Sequence, residues 1–223
     1  MRDMDWFSRD MDWFRRAAAR LSVAALLVVM PASLNAQFSI APEIGVYVPT
    51  QPLVTAALQG NPGEIGQLKQ EIALSIGGRM SIGFGRFGIE VSGAYTPSSV
   101  VLSSSGVSLP DTSLSANLVT GTGQLWVQVL PASSPLSLGL SGGLSLTSRG
   151  GEAYAGASNT PDLGGVLGIS LGVRLGPVIH LMVTAEDYIY NLDPALVGLP
   201  GAELKTQHDI HLNFGIGIPL LGM

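Results

Sequence analysis

The sequence predicts an all-β chain, an eight-stranded antiparallel up-and-down transmembrane β-barrel preceded by a cleaved signal peptide, and three observations carry that prediction. Apolar content is high but dispersed. Of 223 residues, 46% are hydrophobic and 12% charged, with a mean hydropathy of +0.39, yet the longest uncharged apolar run, Leu21 to Ala32, falls short of the roughly 18 residues that a spanning helix needs. Eight later stretches place apolar residues at every second position, the period of a strand whose two faces meet different surroundings. The connections between those stretches alternate long and short.

The leader comes first. Arg15, Arg16 and Arg20 precede the apolar Leu21 to Met30, and Pro31-Ala32-Ser33-Leu34-Asn35-Ala36 supplies small residues for cleavage, so residues 1–36 read as a signal peptide and Gln37 as the mature N-terminus. A near-duplicate, Arg2-Asp3-Met4-Asp5-Trp6-Phe7 and Arg9-Asp10-Met11-Asp12-Trp13-Phe14, adds acidic residues where such a leader is basic, and translation is expected to start at Met11.

The remainder, residues 37–223, reads as one barrel domain. In the first strand, Phe38 to Val48, the even residues are apolar and the odd ones include Ser39, Glu43 and Tyr47. The second, Leu68 to Phe84, sets Ile72, Leu74, Ile76, Met80 and Ile82 against Ser75, Arg79 and Ser81. After Gly85-Arg86 the parity switches, as a two-residue hairpin allows, and Phe87, Ile89, Val91 and Tyr95 oppose Gly88, Glu90 and Ser92. The fourth, Leu118 to Leu130, is irregular because Trp126 falls with Gln124 and Gln128, which a bulge or an interior Trp would explain. The fifth alternates Leu136, Leu138, Leu140, Leu144 and Leu146 with Ser and Gly, and the sixth runs Leu163 to Leu175 in the same manner. The seventh opposes Ile179, Leu181 and Val183 to His180, Glu186, Tyr188 and Tyr190; the eighth, His208 to Ile218, opposes Ile210, Leu212 and Phe214 to Asp209, His211 and Asn213.

Between strands the segments 49–67, 96–117, 148–162 and 191–207 are long, whereas 85–86, 131–135 and 176–177 are short. That order suits a barrel with both termini on the periplasmic side and four extracellular loops. On this pattern, from Gln37 to Met223, the chain resembles the small outer-membrane barrels of the OmpA and OmpX type. The resemblance implies a place in the bacterial cell outer membrane, lipid as surroundings and the barrel-assembly machinery as a partner during insertion. Such barrels end on an aromatic residue, whereas this chain ends Pro219-Leu220-Leu221-Gly222-Met223.

An eight-stranded barrel is filled by its own side chains, so charges on the inward parity must be paired. Counting along the strands predicts two interior polar clusters, Glu43 with Arg79 and Glu90, and Glu186 with Asp209 and His211. Outward-facing Phe38, Phe84 and Phe87 fall at periplasmic strand ends, where aromatic side chains sit at the lipid interface.

Other chemistry is mostly excluded. Zero cysteines leave no disulfide, thiolate metal site or lipid-modified cysteine. Scattered Lys and Arg at a net charge of −5 argue against nucleic acid. Gly83-Phe84-Gly85-Arg86-Phe87-Gly88 spells a dinucleotide motif, but a strand follows it where a helix is needed. His208 and His211, three apart in a strand, face opposite ways and cannot share a metal. No cofactor, metal or catalysis is expected. The first expectation is a structural or surface-interaction role through the extracellular loops toward a ligand that the sequence does not name; the second is a narrow passive channel. The third, a lipid-modifying enzyme using His208 at the outer rim, lacks a neighbouring serine. A soluble barrel with leucines inside would leave too few charges outside.

Overall fold

The computed structural model describes residues 37–57, 65–104, 113–131, 133–155, 161–176, 178–192 and 206–221. The expected leader, its start at Met11 and the last two residues lie outside them. In chain order the strands are β1 (Gln37–Pro49), β2 (Val54–Ala57), β3 (Ile65–Gln70), β4 (Ala73–Phe84), β5 (Phe87–Thr96), β6 (Ser99–Ser104), β7 (Ser113–Ser115), β8 (Asn117–Gln128), β9 (Leu136–Gly150), β10 (Asp162–Leu175), β11 (Ile179–Asn191) and β12 (Thr206–Leu221), with one 3₁₀ turn at Glu152–Tyr154.

Eight of these close on themselves in the order β1-β12-β11-β10-β9-β8-β5-β4, every neighbour antiparallel. Closure removes the unpaired strand edge that hydrocarbon would penalise. The register fixes the stagger: stepping from Glu43 across β4, β5 and β8 arrives at Thr147 on β9, whereas stepping across β12, β11 and β10 arrives at Ser137, ten residues lower. Ten residues at about 3.3 Å over eight spacings of about 4.8 Å tilt the strands by about 40°.

The parity read from the sequence governs the wall. Leu144, Leu163, Leu125 and Ile76 stand outward at 65%, 67%, 65% and 64% exposure, while Ser145, Thr147, Gln124 and Ser75 are buried inside. On β10 the outward row runs from Leu163 to Leu175, about 30 Å of height along tilted strands, the thickness of a bilayer's hydrocarbon core. Tight turns join β4 to β5 through Gly85 and β10 to β11 through Gly176, both with φ near +70° (70° and 74°), a conformation that glycine adopts without steric cost.

Trp126 is interior, and no bulge is involved: the pairing of β8 with β5 and β9 runs unbroken through it. Its ring lies over Gly83 and Gly88, where an added Cβ at Gly88 would come within 2.4 Å of the indole. The glycines of the apparent dinucleotide motif therefore serve a hairpin turn and a tryptophan seat.

The long connections depart from the expectation. Strands β2, β3, β6 and β7 form a second, four-stranded sheet, order β2-β3-β6-β7. The single strand expected from Leu68 to Phe84 is broken at Glu71–Ile72, because Gln70 pairs with Val100 of β6 whereas Ala73 pairs with Tyr47 of the barrel wall. Facing reverses at the break: Gln70, which shares the apolar parity of Leu74, is fully buried and donates from Nε2 to Ala116 O at 3.0 Å. Beside it Leu53, Val100, Ala116, Tyr154 and Leu192 form an apolar core, with Leu68 and Ala153 packed against it. Each of the four outer connections contributes at least one of these residues, so their described parts share a packed cap where the sequence shows only loops.

Candidate functional site

Two polar layers fill the lumen. The lower is built on Arg79 of β4, whose side chain is 4% exposed. Its Nε donates to Glu43 of β1 at 2.9 Å, one terminal nitrogen to Glu90 of β5 at 2.6 Å and the other to Glu186 of β11 at 2.9 Å. Gln124 of β8 adds a donor to Glu186 at 2.7 Å. The planar guanidinium presents five N–H donors in fixed directions, which lets one side chain serve three carboxylates on three other strands.

The upper layer is built on Arg149 near the outer end of β9. It is bonded to Asp162 of β10 and to the phenol of Tyr190 on β11, and its guanidinium also lies over that ring, 5.0 Å from the centroid. Tyr190 and Tyr47 both donate to Oδ2 of Asp209 on β12, the latter at 2.9 Å. His211, 1% exposed, is wedged between Tyr47 and Tyr188, with ring centroids 5.2 and 4.5 Å away. Tyr154, in the 3₁₀ turn beyond the wall, donates to Gln70 Oε1 at 3.3 Å; burial pushes its phenol pKa up, against the pull of the Arg149 charge.

The structure thus brings Glu43, Arg79 and Glu90 together, and corrects the second grouping. Glu186 pairs in register with His211, yet its carboxylate turns across the lumen to Arg79, while Asp209 and His211 join the tyrosine layer above. Counting along strands locates neighbours on one wall; it carries no information about which side chains meet across a narrow lumen. Arg149 and Asp162 were missed because the sequence breaks alternation at Ser148 and Arg149, although β9 continues to Gly150 and β10 begins at Asp162. Their one available signal was the inward parity of Arg149, in line with Ser145 and Thr147.

At the opposite end Phe84 pairs with Phe87 and Phe38 with Ile82, all three on the outward parity near the short-turn rim. His208 faces outward and is bonded to Asp187, apart from inward His211. Among the described residues no group of three His, Cys, Asp or Glu is placed to hold a metal ion.

The sequence matches no protein-family model and no curated protein. The fold has counterparts among solved structures. The outer membrane protein OprG from Pseudomonas aeruginosa superposes with a TM-score of 0.59 at 14% identity, covering 85% of this chain and 98% of that one. The outer membrane protein AlkL, solved in lipid bilayers, gives 0.52 at 8% identity over 86% and 94% of the two chains, and Neisserial surface protein A gives 0.51 at 11% over 83% and 97%. The fold is that of the bacterial outer-membrane eight-stranded β-barrels. This barrel's wall is built for that setting: a closed ladder, an apolar outside of hydrocarbon height and an enclosed polar inside.

Proposed function

We propose that the protein is a closed outer-membrane scaffold whose outer platform engages a surface partner, with no catalytic role and no conducting path through the lumen. The observation that carries this reading is the Arg79 cross-brace, bonded to carboxylates on β1, β5 and β11 across the section through which solute would pass. Parting those contacts leaves charges unpaired in a buried site, which costs about 3–5 kcal/mol. Above it the Arg149, Tyr190 and Asp209 layer lies on the same path. A packed cap also offers a partner a preformed surface, which lowers the ordering cost of binding. Lipid and, during insertion, the barrel-assembly machinery complete the set of partners in this reading.

Single-channel recording of purified protein in planar bilayers tests it. Silent membranes after verified insertion are expected; steady unitary openings would favour the narrow channel instead.

A further inference from the structure

Among the described residues of the eight barrel strands, the outward positions carry one carboxylate and one imidazole, Asp187 on β11 and His208 on β12, and no other acidic or basic side chain. The two are bonded to each other, His208 Nδ1 lying 3.0 Å from one Asp187 oxygen and 3.3 Å from the other. Their depth is telling. Asp187 pairs across to Leu167 and to Ile210, and on β10 the apolar row continues outward past Leu167 to Leu163, which is 67% exposed. The carboxylate is therefore rooted inside the apolar wall, and His208, whose pairing partner is Ile189, stands one outward position nearer the mouth.

The next outward pair on the same ribbon is polar as well. Thr206 Oγ1 donates to Asn191 Oδ1 at 2.9 Å, and both residues are exposed. The outer face of β11 and β12 thus carries four polar side chains that climb from within the apolar wall to its outer edge, the height at which lipid headgroups begin. At that height the other strands carry mostly Leu, Ile, Val and Gly, with Tyr95, Asn117 and Ser148 as uncharged exceptions. A charged group on the lipid face of a barrel is costly in a depth-dependent manner, and ionisable residues at membrane depth mark sites of function.

The bonding leaves a defined set of donors. Asp187 fixes the His208 ring through Nδ1, so Nε2 is the nitrogen left for a ligand on a side chain 40% exposed. Asn191 spends its carbonyl on Thr206 and keeps its NH₂. Two outward nitrogen donors at headgroup level match the oxygens of a phosphate group.

We propose that this ribbon is a binding site for the phosphate of an outer-leaflet lipid, contacted by His208 and Asn191, with Asp187 as the residue that positions the imidazole. The site is independent of whether the lumen conducts.

The test uses the folded protein in maltoside micelles, which contain no phosphate, with ¹⁵N-labelled histidine. Three probes are titrated: a short-chain phosphatidic acid, the matching diacylglycerol and inorganic phosphate. The His208 Nε2 resonance is expected to shift and saturate with phosphatidic acid at a concentration at least tenfold below any response to inorganic phosphate. Diacylglycerol should leave it in place, and the enclosed His211 should stay still throughout. Asp187→Asn should weaken phosphatidic acid binding at least fivefold with barrel circular dichroism unchanged. An equal response to diacylglycerol would reduce the site to an apolar patch, an equal response to inorganic phosphate would make it a site for soluble anions, and no response would remove it; each overturns the proposal.

Discussion

Arg79 on β4 and Glu186 on β11 share an ion pair of 2.9 Å although their strands have no edge in common, so the contact spans the lumen. With Glu43 and Glu90 on the same guanidinium, four of the eight barrel strands are tied at one point. Replacing Arg79 by Met fills much of the same volume but leaves three buried carboxylates without their cation. Unfolding by urea in micelles should show a loss of about 3–5 kcal/mol. Glu186→Gln, which keeps an acceptor for Arg79, should cost clearly less.

Trp126 and Gly88 make a second pair that behaves as a unit. A methyl group at Gly88 would collide with the indole, so Gly88→Ala is expected to destabilise by about 1–3 kcal/mol, the usual cost of overpacking. Thermal unfolding followed by far-ultraviolet circular dichroism would register it. A Trp126→Leu background should relieve only part of that loss, because the Ile82 carbonyl oxygen would still lie 2.5 Å from the added methyl group.

The outer cap should yield separately from the wall. Leu53→Ala removes a 4%-exposed side chain from the core that joins the four outer connections, at a cost of about 2–5 kcal/mol to that core. Limited proteolysis is expected to nick the outer connections of the variant faster, while the far-ultraviolet circular dichroism of the barrel is retained.

The seam between the first and last strands has a weak point. Ala41 and Pro42 have no register partner on β12, and pairing resumes with Glu43 opposite Gly215. Proline has no N–H to donate to a ladder. Pro42→Val should restore a ladder bond, stabilising the barrel by about 0.5–1.5 kcal/mol and slowing amide exchange along Ile216 and its neighbours.

The wall was legible in the sequence because strand geometry forces a two-residue period and lipid rewards one phase of it. Leu136 to Leu146 and Leu163 to Leu175 could be assigned to the outside residue by residue. The lumen was legible only locally. Arg79 and Glu90 lie on a hairpin whose register the Gly85-Arg86 turn fixes, and Glu43 lies on the strand beside it, whereas the reach of Arg79 to Glu186 depends on stagger and diameter. The cap escaped altogether. Val100 and Leu192 look like loop residues, and Gln70 continues the apolar phase of β4; their burial results from packing between separate connections, which no local period records.

The central claim is that the leucine-rich phase of each strand meets lipid while the intervening phase is enclosed, and a chain without cysteine allows it to be tested directly. Single cysteines at Leu144 and Ser145, each carrying a small fluorophore in bilayers doped with brominated lipid, should respond oppositely. Strong quenching at 144 and little at 145 is expected; equal quenching, or the reverse order, would contradict the account.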